Sequence, residues 1–123
     1  MSDFKYRHDV LHCEDLPLDQ LAKTFGTPTY IYSGSAIDSA FLTFQDAFAA
    51  TEPLICFAVK ANSNLSVLQR LARLGSGFDI VSGGELERVL RAGGDPSKIV
   101  FSGVGKTETE IRAALTAQIH CFN

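Results

Sequence analysis

The sequence predicts an α/β fold with a parallel sheet, and three observations support this prediction. From residue 53 onward, apolar runs alternate with segments whose apolar residues fall on one helical face. A run and the amphipathic segment after it recur about every 20 residues, which is the length of a compact strand–helix unit with short loops. Residues typical of helix caps stand at the ends of the amphipathic segments.

Four strands and three helices are predicted in this part of the chain. The strands are expected at residues 53–59, 78–81, 99–101 and 119–122. The helices follow from stripes of apolar residues at helical spacing, namely Leu65, Leu68, Leu71, Ala72 and Leu74; Leu86, Val89 and Leu90; and Ile111, Ala114 and Leu115. Strand and helix therefore alternate in βα order.

Capping residues delimit these helices. Asn64 or Ser63 is placed to cap the first helix, and Thr107 with Glu110 makes a capping-box pattern before the third. The C-terminal ends of the first two helices are expected at two glycines, Gly75 and Gly93.

The first part of the chain has a different pattern. Two short strand-like stretches, at residues 6–12 and 29–32, flank a helical turn at residues 17–25. An amphipathic helix is predicted at residues 35–50. Its apolar residues are spaced for one buried face and are Ile37, Phe41, Phe44 and Phe48. We expect a boundary near residue 33, with a separate structural element before it.

Composition and charge exclude several classes of protein. The chain has 123 residues, 46% of them hydrophobic, and a net charge of −3 with a pI near 5.5. Its basic residues are scattered, which argues against a nucleic-acid-binding surface. No window approaches the roughly 20 apolar residues needed to cross a bilayer, and the N-terminus lacks a signal-peptide pattern. We therefore expect a cytoplasmic protein that does not contact membranes.

The cysteines point to the same compartment. Three of them are present, far apart in sequence and never in a CxxC pair: Cys13, Cys56 and Cys121. This pattern suggests neither a disulfide framework nor a zinc site, and no metal is expected. A reducing cytosol fits such thiols best.

The number of strand–helix units leaves two architectures open. A closed (β/α)8 barrel needs eight strands and typically about 250 residues, more than this chain supplies. The sequence therefore describes either a small open sheet or a piece of something larger.

The residues after each predicted strand are the candidates for chemistry, because ligands of parallel α/β folds lie at the carboxyl ends of the strands. Lys60 is the most unusual of them, being the only charged residue between Glu52 and Arg70. A lysine at the end of an apolar strand is expected to be partly desolvated, which lowers the pKa of its amine and makes it a nucleophile toward carbonyl carbons. The alternative is a lysine that extends to solvent from a strand end.

Two acids accompany this lysine. Asp79 is expected at the equivalent place on the next strand, and Glu85 starts the following helix. Acids one strand away could hold a protonated amine or imine in position. The alternatives are a loop-facing cap for Asp79 and a favourable first-turn acid for Glu85.

The glycines give no nucleotide-binding motif. Gly75-Ser76-Gly77 precedes a strand instead of following one, and Ile80 stands where a dinucleotide fingerprint has its third glycine. Residues 103–107, GVGKT, lack the first glycine of a Walker A motif because Val100 stands there. Residues 82–84, SGG, could hold an anion on backbone N–H groups, although a tight strand-to-helix turn explains them equally well.

Three segments together resemble a known family of enzymes. FAVKANSN at residues 57–64, GSGFDIVSGGEL at 75–86 and KIVFSGVGKT at 98–107 look like the first strands of the alanine-racemase-type barrel that binds pyridoxal 5′-phosphate (PLP). They are most similar to the diaminopimelate branch of the ornithine/diaminopimelate/arginine decarboxylase family. GTPTYIYS at residues 26–33 resembles the stretch by which those enzymes enter the barrel.

The resemblance implies a fold, a cofactor and a reaction. It implies an N-terminal segment at residues 1–32 that contributes to a β domain, followed at residues 33–123 by the first portion of a PLP-binding TIM barrel. By resemblance, Lys60 carries PLP, and Asp79 and Glu85 lie close to this lysine and the cofactor. The implied activity of the full-length protein, a homodimer, is decarboxylation of meso-diaminopimelate to L-lysine and CO₂. The isolated chain is expected to be inactive.

Other functions remain open at this point. The same barrel occurs in arginine and carboxynorspermidine decarboxylases, in racemases and in non-catalytic PLP carriers. A different class is a free-standing, non-enzymatic α/β module in which Lys60 is incidental. Affinity for PLP would separate these two classes.

Overall fold

The computed structural model describes residues 3–123, which form two compact units divided between Thr43 and Phe44. The domain boundary that the sequence suggests near residue 33 stays a prediction.

The first unit begins with a small antiparallel sheet. Strands β1 (Phe4–Arg7) and β2 (Val10–Cys13) form a hairpin, and β3 (Leu16–Pro17) pairs with the other side of β2. The loop between β1 and β2 consists of His8 and Asp9, whose φ angles of 48° and 63° are both positive. A two-residue loop with two positive φ angles matches the right-handed twist of a hairpin. Helix α1 (Leu18–Phe25) follows directly.

Two sequence-based predictions are wrong in this unit, although the helix at residues 17–25 is confirmed. Residues 6–12 were expected to form one strand, but the turn at residues 8–9 divides them between two strands. Residues 29–32 form no strand. Their β-branched and aromatic side chains favour extended backbone, yet a strand also needs a hydrogen-bonded neighbour, which they do not have within residues 3–123.

Helix α2 (Gly34–Ala47) confirms the helix predicted at 35–50 but not its buried face. Phe41 is buried, whereas the side chains of Phe44 and Phe48 are 53% and 47% exposed. Their rings pack against each other, with centroids 4.9 Å apart. The spacing was read correctly, but no described residue covers this stripe fully.

The second unit contains the predicted parallel sheet. Its strands are β4 (Cys56–Ala58), β5 (Gly77–Ile80), β6 (Ile99–Phe101) and β7 (Cys121–Phe122). They pair in parallel and in chain order, β4-β5-β6-β7. The helices between them are α3 (Leu65–Arg73), α4 (Gly83–Arg91) and α5 (Glu108–Thr116). The predicted βα order is confirmed.

The core of this unit lies between the sheet and its helices. Seven large apolar side chains of the described residues are fully buried, and they are Val59, Leu68, Phe78, Ile80, Val89, Ile99 and Phe101. Burying one such side chain stabilises the fold by about 1.5–3 kcal/mol. Leu65, predicted in the same stripe as Leu68, is 42% exposed because it lies in the first turn of α3.

The predicted caps are present. The Asn64 side chain accepts a hydrogen bond from the Ser66 N–H, and Thr107 with Glu110 makes a complete capping box. Gly75 and Gly93 follow the last residues of α3 and α4 with φ angles of 86° and 82°, which favour glycine. Within residues 3–123, no helix is long and apolar enough to span a membrane.

Candidate active site

The carboxyl edge of the parallel sheet collects the residues that the sequence singled out. Asp79 lies on β5 and pairs with Ala58 of β4, so Lys60 follows its partner by two residues along the chain. Ser102 comes directly after β6, and its N–H donates to the Ile80 carbonyl at 2.8 Å. Lys60 and Asp79 are therefore at the same edge of one sheet, as predicted, and Ser102 lies at that edge with them.

Lys60 occupies a 3₁₀ turn, Val59–Ala61, immediately after β4. Val59 is fully buried, whereas Lys60 is exposed. The expectation of a desolvated lysine is not met within residues 3–123, where the alternative of a lysine that extends to solvent describes Lys60 better. The turn leaves this side chain accessible after β4.

The segment after Lys60 is held by hydrogen bonds. The Asn62 side chain accepts from the Asn64 N–H at 3.0 Å, and Asn64 in turn caps α3. Arg88 of α4 donates from a guanidinium nitrogen to the Ser63 carbonyl at 3.1 Å. The loop that leaves the lysine is thereby tied to the helix of the next strand–helix unit.

Asp79 has one carboxylate oxygen that lacks a partner. Its Oδ1 is buried and makes no hydrogen bond within the described residues. Asp79 also lies inside β5 instead of in the loop after it, so a capping role does not account for this oxygen. A buried acceptor without a donor costs free energy, and such atoms often mark places where a ligand supplies the donor.

Glu85 is engaged with its own turn. Its Oε2 accepts from the Val81 N–H at 2.8 Å, while its own N–H donates to Ser82 Oγ at 3.2 Å. The first-turn interpretation of this acid is therefore part of the structure. These two bonds close the turn between β5 and α4 and fix where it begins and ends.

At residues 82–84, where backbone N–H groups could hold an anion, the protein supplies a carboxylate of its own. The Gly83 N–H donates to Oε1 of Glu110 at 2.8 Å. Sequence reasoning identified Glu110 as a capping residue and missed this second contact. The only sequence signal was the capping box, which places the carboxylate near Thr107 but says nothing about α4.

A thiol on β4 does not compete with Lys60 as a nucleophile. Burial raises the pKa of Cys56, and the nearby Asp79 and Cys121 raise it further. A thiol with a raised pKa stays protonated at neutral pH and reacts slowly. Within the described part of the chain, no group of three or more potential ligands could hold a metal ion.

The fold and this edge together define a class, a parallel α/β domain with an accessible lysine after the first strand of its sheet and a half-buried acid on the next strand. Residues 35–123 match the family model described as the pyridoxal binding domain of pyridoxal-dependent decarboxylases. The chain belongs to this family. The predicted fold class, part of a PLP-binding α/β barrel, is confirmed with it.

Individual relatives agree. The chain is 58% identical to a diaminopimelate decarboxylase of Pseudomonas aeruginosa over all of its 123 residues. It is 62% identical to one of Neisseria meningitidis serogroup B over 93% of the chain. A crystal structure of diaminopimelate decarboxylase from M. jannaschii in complex with L-lysine matches 98% of the chain with a TM-score of 0.93 and 34% identity.

The chain spans a limited part of these proteins. It covers 30% of the Pseudomonas protein, 28% of the Neisseria protein and 29% of the M. jannaschii chain. The residues present nevertheless fit PLP. Lys60 offers an accessible amine for covalent attachment, and Asp79 offers a buried acceptor that no described residue satisfies.

Proposed function

We propose that the full-length protein, meaning this chain continued to the length of its relatives, decarboxylates meso-diaminopimelate to L-lysine and CO₂ with PLP as its cofactor. The observation that carries the proposal is an identity of 58% and 62% to diaminopimelate decarboxylases over at least 93% of the chain. L-lysine, the product proposed here, is bound in the M. jannaschii structure.

We assign three residues of this chain to the cofactor. Lys60 attaches it covalently, which its accessible position after β4 supports. Asp79 accepts a hydrogen bond at the buried oxygen that lacks a partner. Glu85 lies beside the cofactor and keeps the turn between β5 and α4 closed through its bond to the Val81 N–H.

The chemistry divides between cofactor and protein. Bound PLP supplies an electron-accepting ring that stabilises the negative charge left on the substrate Cα when CO₂ departs. The residues of this chain bind and orient. Lys60 presents its amine at the sheet edge, and the carboxylate of Asp79 favours positive charge on a nitrogen placed near it.

Three further proposals concern the whole protein. We assign residues 1–32 to a β domain and residues 33–123 to the first portion of the barrel, in line with the family match that begins at residue 35. We propose a homodimer on the basis of the family resemblance. A cytoplasmic location is supported by the cysteines of the described chain, which are all free thiols.

The test uses the purified full-length protein with PLP. Release of CO₂ is measured from meso-diaminopimelate, with arginine and carboxynorspermidine as competing substrates. In parallel, the cofactor is fixed to the protein with borohydride, and the labelled peptide is identified by mass spectrometry. We expect release from meso-diaminopimelate and a label on Lys60.

The matched variants are Lys60→Ala and Lys98→Ala. Lys98 lies just before β6, at the other end of the strand, where its Nζ donates to the Gly75 carbonyl at 3.2 Å. Lys60→Ala should lose both the label and the activity, whereas Lys98→Ala should keep both. If the Lys60→Ala variant is still labelled, on another lysine, the assignment of Lys60 is refuted. Release of CO₂ from arginine alone refutes the proposed substrate.

A further inference from the structure

The carboxylate of Glu110 accepts hydrogen bonds at the N-terminal ends of two consecutive helices, α4 and α5. In Glu110, Oε2 accepts from the N–H and the hydroxyl of Thr107, at 2.9 and 2.8 Å, and so caps α5. The other oxygen, Oε1, accepts from the N–H of Gly83, the first residue of α4, at 2.8 Å. The two oxygens therefore connect strand–helix units that are adjacent in the sheet.

We infer that Glu110 is a positioning residue of the PLP site, because it fixes the turn of residues 81–84 that connects Asp79 to Glu85. The inference rests on the function proposed above. It adds a residue from the next strand–helix unit, far from the lysine in sequence and without a catalytic role of its own.

The geometry distinguishes this role from ordinary capping. A capping box requires one oxygen of the glutamate, and Oε2 fulfils that requirement at Thr107. The bond from Oε1 to Gly83 contributes nothing to α5. It satisfies an N–H of α4 that has no partner inside its own helix.

The turn has internal bonds, but these do not anchor it to its surroundings. Glu85 bonds to the Val81 N–H, and Ser82 accepts from the Glu85 N–H, so both contacts lie within the turn. Glu110 holds the turn from outside. Close packing agrees, since a Cβ atom built at Gly83 would stand 3.1 Å from the Cγ of Glu110.

The charge state of Glu110 supports the contact. The hydrogen bond from Gly83, followed by those from Thr107, lowers the pKa of this carboxyl. The group is therefore ionised at neutral pH, and hydrogen bonds to an ionised acceptor are stronger than those to a neutral one.

The first test compares Glu110→Gln with Glu108→Gln in the full-length protein. Both remove one negative charge from the first turn of α5, but Glu108 pairs with Arg112 of its own helix at 2.7 Å. Two quantities are measured: the Kd of the cofactor-free protein for PLP, and deuterium exchange of the peptide that covers residues 79–86 before PLP is added. We expect Glu110→Gln to weaken PLP binding about fivefold and to speed exchange, and Glu108→Gln to change neither.

A second test removes the donor in place of the acceptor. Gly83→Pro deletes the N–H that Glu110 accepts, and proline is tolerated at the first position of a helix. The preceding Ser82 is extended, with ψ of 161°, as proline requires of its neighbour. Gly83→Ala is the matched control, because it adds a Cβ atom but keeps the N–H.

Removing the donor and removing the acceptor should have similar effects on PLP binding. Gly83→Pro should weaken PLP binding about as much as Glu110→Gln, and the double variant should be no worse than either, because both delete the same hydrogen bond. Gly83→Ala should have a smaller effect. The inference is overturned if the losses of PLP affinity caused by Gly83→Pro and Glu110→Gln add up fully in the double variant. It is also overturned if Glu110→Gln and Glu108→Gln weaken PLP binding equally.

Failure of the proposed function has a different signature. A wild-type full-length protein that does not bind PLP refutes that function, and the positioning role with it. A wild-type protein that binds PLP, with affinity and exchange unchanged in Glu110→Gln and Gly83→Pro, overturns only the role of Glu110.

Discussion

The side chain of Asp79 is expected to destabilise the cofactor-free protein. Its Oδ1 is buried and has no hydrogen-bond partner within residues 3–123. An unsatisfied buried acceptor costs about 1–3 kcal/mol, and a ligand that supplies a donor recovers part of it. Stability and binding are therefore expected to respond in opposite directions when this side chain is removed.

We predict that Asp79→Ala raises the free energy of unfolding of the cofactor-free, full-length protein by about 1 kcal/mol while weakening PLP binding. The control is Asp95→Ala, because Asp95 accepts hydrogen bonds from the N–H and the hydroxyl of Ser97. That variant should lose stability and keep its affinity for PLP. Urea titration and PLP titration measure the two quantities. A loss of stability in both variants would contradict the prediction.

Glu110 makes stability depend on pH in a defined direction. Its pKa is lowered below the ordinary value of 4.5 in the folded protein, chiefly by the hydrogen bond from Gly83. A lowered folded-state pKa means that the unfolded chain binds the proton more readily, so acid favours unfolding. The contribution of Glu110 is present above the ordinary pKa and is lost as the pH falls through the lowered one.

We therefore predict that the stability difference between the wild-type protein and Glu110→Gln is constant near neutral pH and shrinks on acidification. Urea midpoints measured between about pH 7 and about pH 3 give this difference directly. Asp95→Asn should behave in the same way, because hydrogen bonds from Ser97 lower the pKa of Asp95. A stability difference that grows as the pH falls would contradict the predicted direction of the pH dependence.

For single residues, the sequence predicted positions in the fold better than it predicted the contacts of their side chains. The edge position of Lys60 followed from counting to the end of its apolar run, whereas Asp79 lies inside β5 and not after it. The bond from Gly83 to Glu110 spans 27 positions and depends on how α4 and α5 pack, which no local pattern encodes. The exposure of Lys60 matches the alternative of a lysine that extends to solvent, because strand position alone could not decide between that and a desolvated lysine.

Among the elements, the strands of the parallel sheet were easier to predict than those of the N-terminal hairpin. The run at residues 78–81 overlaps β5 because interior strands of a parallel sheet are apolar on both faces. The hairpin lacks that signal, and its turn at His8 and Asp9 has no glycine to mark it. A run of extended residues was therefore read as one strand.

The start of β5 tolerates no side chain. A Cβ atom at Gly77 would lie 2.5 Å from the Lys98 carbonyl oxygen and 2.8 Å from Cys56 Sγ. The Lys98 carbonyl is backbone of the segment that leads into β6, so it cannot move away without disturbing the sheet. At Gly105, in the loop before α5, a Cβ atom would meet nothing within 4 Å.

We predict that Gly77→Ala lowers the free energy of unfolding by about 1–3 kcal/mol, as overpacking does. Gly105→Ala should change it by less than about 0.5 kcal/mol. Urea unfolding of the full-length protein measures both. Similar values for the two variants would mean that the sheet can shift to accommodate a methyl group beside β5.

For the whole molecule, the open sides of the sheet are the dominant feature. β4 and β7 each have one neighbour in the described sheet, and their outer N–H and C=O groups have no strand to pair with there. Such edges promote association unless they are covered. The number of strand–helix units left open either a small open sheet or a piece of something larger, and only the resemblance to the barrel family implied an incomplete barrel.

We predict that a polypeptide of these 123 residues, expressed alone, does not decarboxylate meso-diaminopimelate and is poorly stable or self-associated. Its sheet supplies four strands where a closed barrel has eight. Light scattering reports association, urea unfolding reports cooperativity, and a CO₂ assay with added PLP reports activity. A monomer that unfolds cooperatively and releases CO₂ would show that these residues are a complete enzyme.

The order of the strands also has a consequence for biosynthesis. Because β4, β5, β6 and β7 are neighbours both in sequence and in space, each new strand finds its partner in the stretch of chain made just before it. Pairings between nearby segments form quickly, and chains fold from the N-terminus as they leave the ribosome. Each unit can thus dock during translation. A barrel assembled this way has one pairing that must wait for the last strand to be made, the one that returns to β4.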